Sequence, residues 1–260
     1  MDDIIARLRD AGVPQPGYEA RRITAWAARR SADGRPAITV DEVVRRRVDG
    51  ELLAHVLGET MFMGRSFACG PDTFPPQPAS RLVVEGAIEH ALTTTDPRVV
   101  DLCCGVGALG VSVCLGLGGG TLVGYDISAT ALEFARTNAR AHGVRASFIE
   151  ADIGDPGRVP RECADVVIAN PPYFGVADPV DNDARRFPRE AVFADDEGRW
   201  LVRLCVRVGA EALRPGGVLV VEHHERMDAV VAAVDVGDMT LVAQTRSASA
   251  RFMAVSCFRR

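Results

Sequence analysis

Two stretches of the chain carry residue types at spacings that can do chemistry. "VVDLCCGVGALG", residues 99–110, places Gly105, Gly107 and Gly110 as a G-x-G-x-x-G after a β-rich apolar run. Glycines so spaced let the backbone turn sharply and approach a ligand at a helix N-terminus. Alone, the pattern fits a dinucleotide as well as other nucleoside cofactors. "ANPPYFG", residues 169–175, follows the apolar run "ADVVI". Prolines there end a strand and stiffen what comes next. They hold an asparagine and an aromatic ring at the end of a buried strand, either as a plain turn or as a clamp on a substrate.

Three carboxylates narrow the choice. Asp101 precedes Gly105 by four residues, at the end of its strand. A carboxylate there repels a pyrophosphate and favours a cationic ligand, such as the ammonium and sulfonium of S-adenosylmethionine. Asp126, in "GYDIS", ends the next strand, where a carboxylate accepts both ribose hydroxyls; NAD enzymes share this feature. Asp152, in "EAD", ends the one after, and can accept from an adenine amino group with Ile153 against the ring. Successive carboxyl ends of strands are where open α/β sheets bind ligands. Helix capping by Asp126 and Asp152 and a simple tight turn at Gly107 explain each residue singly. Their joint order and spacing favour a cofactor site.

The elements that position these residues read as follows. Residues 2–57 are helical: "DDIIARLRDAG" ends at Gly12, and "GYEARRITAWAARR" aligns Ile23, Trp26 and Ala27 on one face. "TVDE" at 39–42 is a capping box with Thr39 as N-cap, and "ELLAHVL" adds an apolar stripe. A hairpin follows with its turn near Gly64–Arg65, then the proline-rich connector "PDTFPPQP". The boundary falls at about residue 75, giving a small helical N-terminal domain with hairpin and linker (1–75) and a second domain (76–260). In the latter a helix is expected over 79–92, then strand "RVVDLCC", a helix from about 107, strand "TLVGYDI" and helix "SATALEFARTNARAHG". Strands "RASFIEAD" and "ADVVIAN", a helix at about 197–213 and strand "GGVLVVEH" complete the alternation. That pattern predicts α/β architecture with a mostly parallel, Rossmann-like sheet. "MTLVAQTR" and "ARFMAVSCFRR", with no helix between, predict a terminal antiparallel hairpin.

Composition sets bounds. Hydrophobic residues form 47% of 260, enough for a sizeable core, and no apolar run reaches membrane-span length. The acidic amphipathic start does not suit a secretory signal, so a cytoplasmic location is expected. Seven scattered cysteines without CxxC or metal-ligand spacing predict reduced, buried thiols and no metal. Net charge is −5, and every basic residue is arginine. Residues 1–50 hold ten Arg against eight Asp and Glu. The "RRR" at 45–47 therefore reads as a solvated helix face rather than a phosphate contact, and the charge argues against a nucleic-acid partner.

Over residues 95–258 these motifs resemble the class I S-adenosylmethionine-dependent methyltransferases. The resemblance implies S-adenosylmethionine as cofactor, held by Asp101, Cys103, Gly105, Gly107, Asp126, Ile127, Asp152, Ile153 and Asn170. "NPPY" at 170–173 is similar to the (Asn/Asp/Ser)-Pro-Pro-(Tyr/Phe) motif of enzymes that methylate exocyclic or amide nitrogens. Such nitrogens are poor nucleophiles because their lone pair is delocalised. Asn170 Oδ1 and the Pro171 carbonyl can accept both N–H bonds and direct the lone pair towards the methyl, while Tyr173 can stack on a flat substrate. No metal or covalent intermediate is required.

The end-to-end layout resembles the release-factor glutamine methyltransferases (the HemK/PrmC family), which implies a release-factor glutamine as substrate. The chain departs from that family where substrate would be lined. The family's Pro-Arg-Pro-Glu-Thr-Glu is here Pro76-Gln77-Pro78-Ala79-Ser80-Arg81, and its Gly-Thr is Cys103-Cys104. Its Glu-Pro-x-x-Ala-Leu is here Phe187-Pro188-Arg189-Glu190-Ala191-Val192, and its glycine-rich acidic stretch survives partly as "ADDEGRW". The expectation is N-methylation of a planar amide- or guanidine-type nitrogen on an amino-acid-like small molecule. Release-factor glutamine methylation is the alternative. Nucleic-acid base methylation, a dehydrogenase and a non-catalytic cofactor-binding module stand further off. The 174–199 loop holds seven Asp or Glu and four Arg, either as an acidic lid attracting a cationic molecule or as a solvated loop. His223 and His224 end a strand, either touching substrate and accepting a proton or serving as surface or hydrogen-bonding residues.

Overall fold

The computed structural model describes residues 1–32, 38–91, 94–180, 183–250 and 252–260. Contacts divide the chain into two units, Met1–Thr60 with Cys69–Pro71, and Met61–Ala68 with Asp72–Arg260.

The first unit contains α1 (Asp2–Asp10), α2 (Pro16–Ala32), α3 (Val40–Val48) and α4 (Leu53–Leu57). Leu8, Ile23, Trp26, Val43, Val44 and Val56 form its core. The Trp26 indole donates to Leu57 O at 3.0 Å, satisfying the one polar atom that this large buried side chain brings. Gly12 takes φ 74° beyond the end of α1. Thr39 caps α3 by accepting from Glu42 N at 3.1 Å. The Glu42 carboxylate turns instead to Arg45, so half of the capping box forms. The expected solvated face at 45–47 needs correction. Arg45 and Arg46 do pair with surface acids, but Arg47 is buried against Glu19 at 2.8 Å.

The hairpin is β1 (Glu59–Phe62) and β2 (Arg65–Ala68), turned at Met63 and Gly64, which take φ 48° and 76°. Two positive-φ residues in a two-residue loop match the right-handed twist of a hairpin. The turn thus sits one residue earlier than expected. Residues 61–68 and 72–75, expected with the N-terminal domain, have their contacts in the larger unit. Asn138 shows why: its side chain accepts from Ala68 N at 2.7 Å and donates to Ala68 O at 3.0 Å, like a neighbouring strand. The Phe67 ring packs on His142, centroids 4.7 Å apart.

The larger unit carries a seven-stranded sheet of order β5-β4-β3-β6-β7-β9-β8. Its elements are α5 (Arg81–His90), β3 (Arg98–Leu102), α6 (Ala108–Gly116), β4 (Thr121–Asp126), α7 (Ala129–Ala141), β5 (Arg145–Glu150), β6 (Ala164–Ala169), α8 (Arg189–Val192), α9 (Arg199–Ala212), β7 (Leu213–His224), α10 (Asp228–Ala232), β8 (Thr240–Arg246) and β9 (Met253–Arg259). β5, β4, β3, β6 and β7 run parallel, and β9 joins β7 and β8 antiparallel, as the sequence pattern predicts. Arg251 and Leu92, at the ends of the expected last strand and first helix, lie outside the described residues. A 3-10 turn at Pro78–Ser80 runs directly into α5, with Pro78 at its first position, where a missing N–H forfeits no helical hydrogen bond. Alternate residues of β7 face opposite layers: Leu219 and Val221 join the core with Cys205 and Val206 of α9, while Val220 meets Gly86 of α5. All seven cysteines are free. Among the described residues no helix is long and apolar enough to cross a membrane.

Candidate active site

The chain leaves β3 towards β4 on one side and leaves β6 towards β7 on the other. Their shared carboxyl ends therefore form the crevice where open α/β sheets bind ligands. Leu102 and Ala169 are register partners, so Cys103 and Asn170 emerge side by side. Cys103 takes φ 58° at the start of the glycine loop, an unusual conformation for a residue with a side chain. Gly107 then opens α6 with φ 75°. A Cβ there would lie 3.0 Å from that of Ala135 and 3.3 Å from the Phe148 ring, so this turn needs glycine.

The carboxylates decide the charge of the crevice. Asp101 is 1% exposed, and its Oδ2 accepts from Gly110 N at 3.0 Å. Desolvation pushes its carboxyl up to about 8, against the Gly110 bond and helped by the charge of Asp126. Asp126 Oδ2 accepts from Gly105 N at 2.7 Å and Oδ1 from Ser128 N at 2.9 Å. Burial raises this carboxyl too. Two loop N–H groups, those of Gly105 and Gly110, are thus already bound to carboxylates. Each Asp126 oxygen keeps a lone pair for a hydroxyl. With Asp101, Asp126 and Asp152 lining the crevice, its charge suits a cationic nucleoside better than a dinucleotide phosphate.

A cavity of about 270 Å³ opens over these groups. It is lined by eight of the nine expected cofactor residues, Gly107 lying behind it as the turn of α6. Asp152 is exposed at the rim with Oδ1 accepting from Gly154 N at 2.8 Å, while Ile153 is buried in the wall and Ile127 is 59% exposed. Among the described residues no cluster of His, Cys, Asp and Glu is arranged to hold a metal.

Asn170 is half-buried in the cavity wall. Its Nδ2 donates to Ser80 Oγ at 3.3 Å. Alternation along an extended segment sends Asn170 and Pro172 to the cavity and Pro171 and Tyr173 to the far side. Tyr173 is 9% exposed, and its hydroxyl donates to Glu222 Oε1 at 2.9 Å. Its ring lies 4.9 Å from that of Phe174. The expectation that Tyr173 stacks on a flat substrate does not fit this placement; the ring props the loop from behind. Gly198, in the surviving "ADDEGRW", braces the loop from another side. It takes φ 76°, and a Cβ there would lie 2.5 Å from Tyr173 Cα.

Of the 174–199 loop, Pro188, Glu190 and Ala191 line the cavity, while Asp181 lies outside the described residues. Arg81 points elsewhere, pairing with exposed Glu85 at 2.7 Å. His223 and His224 do not reach the cavity. His223 is fully buried between Ser256 Oγ (2.8 Å) and His224 O (3.0 Å), and His224 stacks on Phe252. Burial lowers both pKa values. The connector supplies residues that sequence reasoning missed, Phe74 among them, which packs edge-on against Phe187 at 4.8 Å. Ser80 and Glu222 were also missed. Glu222 carried the signal that marked Asp101 and Asp126, a carboxylate at the carboxyl end of an apolar run.

A family model described as "Methyltransferase small domain" matches residues 77–202, spanning the glycine loop and "NPPY". The chain is 34% identical over 187 residues to a 4-amino-L-phenylalanine/4-methylamino-L-phenylalanine methyltransferase of Streptomyces pristinaespiralis, covering 69% of this chain and 63% of that relative. It is 33% identical over 232 residues to the release factor glutamine methyltransferase of Streptomyces coelicolor, covering 84% of this chain and 81% of the relative. Among solved structures, a 16S rRNA N2 methyltransferase of T. thermophilus in complex with AdoMet and guanosine superposes with TM-score 0.54. That match is 20% identical and covers 78% of this chain and 49% of the other, so it speaks for the fold alone. Glycine loop, carboxylate-filled crevice and near full-length match converge: the chain belongs to the release factor glutamine methyltransferase family and is a class I S-adenosylmethionine-dependent methyltransferase.

Proposed function

We propose that the protein methylates a planar nitrogen on an amino-acid-like small molecule, in the cytoplasm. The observation that carries this is Asn170 in the cavity wall, with Nδ2 engaged by Ser80 and the carbonyl Oδ1 without a partner among the described residues. A carbonyl so offered accepts an N–H of the acceptor. The Pro171 carbonyl is the natural second acceptor, and the stiff proline pair keeps both in place. With both N–H bonds held, the lone pair of an amide, aniline or guanidinium nitrogen turns towards the crevice. Bound S-adenosylmethionine supplies a methyl group on a sulfonium centre. Asp101 offsets that positive charge, Asp126 is placed to accept from the ribose, and Ile153 walls the base.

Two further observations support a small cationic acceptor. Among the described residues the charged ones lining the cavity are Asp72, Asp101, Asp126, Asp152 and Glu190, with no arginine or histidine. Asp72 and Glu190 are extra to the cofactor loops and favour an ammonium or guanidinium. One relative is named for an arylamine on an amino acid, which meets the same description. Free thiols at all seven cysteines suit a reducing compartment. The second reading is a release-factor glutamine, favoured by the match over 81% of the S. coelicolor relative.

Incubation with methyl-labelled S-adenosylmethionine and, separately, 4-amino-L-phenylalanine, arginine, glutamine amide and a release factor distinguishes them by product mass. A small-molecule product heavier by a methyl is expected. Efficient labelling of the release factor with no small-molecule product overturns the proposal in favour of the second reading.

A further inference from the structure

Apolar side chains scattered singly over a surface are ordinary. Two of them here share one cavity. Ile127 is 59% exposed and Trp200 57%, the two most exposed large apolar residues among those described, and both line the space over Asp101 and Asp126. They reach it from opposite layers. Ile127 follows β4 and leads into α7, which packs beside α6 and, through it, α5. Trp200 is the second residue of α9, the helix on the other face of the sheet. The start of that helix is held in place, because Gly198 caps it with φ 76° and lies against the Tyr173 backbone. One turn further on, Leu204 shares the Trp200 face. Both side chains meet the turn after β5: a Cβ on Gly154 would lie 3.5 Å from Trp200 Cη2 and 3.6 Å from Leu204 Cδ2. Asp152 belongs to the same turn, its Oδ1 accepting from Gly154 N at 2.8 Å. The outer edge of the indole therefore sits beside the carboxylate read as the partner of an adenine amino group.

We propose that Trp200 is a cofactor-binding residue whose indole covers the adenine ring of S-adenosylmethionine, with Ile127 on the ring's other face. This rests on the reading of Asp152 and Ile153 as the base site. The parts of the cofactor leave the base as the natural occupant. The charged methionyl end belongs with Asp101 and the ribose with Asp126, so the flat apolar part falls beside Asp152 and Trp200. A purine placed between an indole and an isoleucine buries apolar area on both faces and gains aromatic stacking on one. Stacking reads a flat ring and not its edge, so it supplies affinity, while Asp152 at the edge supplies the choice of adenine. Trp200 stands at the rim with its face in solvent, and the base can enter and leave with no change of backbone.

The first arm of the test needs neither a variant nor an acceptor. The chain has two tryptophans, and Trp26 is buried in the first unit with its indole bonded to Leu57 O. An exposed indole emits to the red of a buried one, so Trp200 is followed at the red edge. S-adenosylhomocysteine, the product form of the cofactor, binds without reacting and should quench that emission saturably. The quenching should be absent in Trp200→Phe, where only Trp26 remains. Quenching by 4-amino-L-phenylalanine with none by S-adenosylhomocysteine would move Trp200 to the acceptor side and overturn the proposal. The second arm is calorimetry. Trp200→Ala should weaken S-adenosylhomocysteine by about 5- to 50-fold, as loss of a base–aromatic stack does, and Trp200→Phe, which keeps a ring, should recover most of it. 5′-Methylthioadenosine, with base and ribose but no amino-acid tail, should lose affinity by the same factor. A merely structural Trp200 would lower the melting temperature with no recovery in affinity by Trp200→Phe. Wild-type affinity in Trp200→Ala, with weakened binding in Asp152→Ala, overturns the stack alone. Wild-type affinity in Asp152→Ala overturns the reading of the base site.

Discussion

Asp101 shows how one residue couples binding to pH. Its buried carboxyl titrates at about 8 when nothing fills the cavity. A bound ammonium and sulfonium favour the carboxylate, so binding expels a proton wherever the free site is protonated. Affinity for S-adenosylmethionine should therefore fall as pH drops below about 8, by up to about tenfold per unit. Titration calorimetry above and below that value measures it. Asp101→Asn should bind more weakly at alkaline pH and lose the slope; the same slope in the variant would assign the proton elsewhere. The linkage has an opposite side. The folded pKa lies above the unfolded one, so the ionised carboxyl burdens the cofactor-free fold increasingly as pH rises from about 4 towards 8. Asp101→Asn should then raise the melting temperature of the cofactor-free protein at pH 8 while weakening cofactor binding.

Among the elements, the loop after β6 owes its shape to partners on several sides. Alternation puts Asn170 and Pro172 on one side and Tyr173 on the other, where Glu222 anchors its hydroxyl. Phe174 exchanges backbone hydrogen bonds with Val192 and Ala194, at 3.2 and 2.9 Å, tying the loop to the segment around α8. Gly198 closes the remaining side, with its Cα against the Tyr173 backbone. Gly198→Ala combines an unfavourable φ with a contact that neither backbone can relieve without moving. It should cost about 1–3 kcal/mol and displace Asn170. Thermal melts and turnover check this together: both should fall, and unchanged kcat would show that the loop holds its shape without the brace. The short helices α8 and α10 were not legible in the sequence, since neither is long enough to establish a helical period.

At the scale of the whole molecule, net charge bears on the class of acceptor. Net charge is −5, and the cavity is lined by acids. A protein that neutralises several phosphates loses about 10³–10⁵ in affinity between low and moderate salt. Fluorescence anisotropy with labelled RNA and DNA at both salt levels should show no such binding; a steep salt-dependent affinity would contradict the small-molecule acceptor. The fold and the crevice at the strand ends were readable because their determinants are local. Apolar runs set the strands, and glycines or carboxylates at their ends, as at Asp101, Gly105 and Asp126, reveal the crevice from a few adjacent letters. The domain border and the acceptor side were not. Asn138 captures the hairpin from 70 residues away, Ser80 meets Asn170 across 90 residues, and Tyr173 meets Glu222 across 49. The sequence by itself determined the sheet, the residues at the carboxyl ends of its strands and the presence of a stiff asparagine among them. Only the tertiary structure placed the Tyr173 hydroxyl on Glu222 and the Asn170 amide against Ser80. Such contacts form between segments with no local signature of each other, through the order in which the strands assemble.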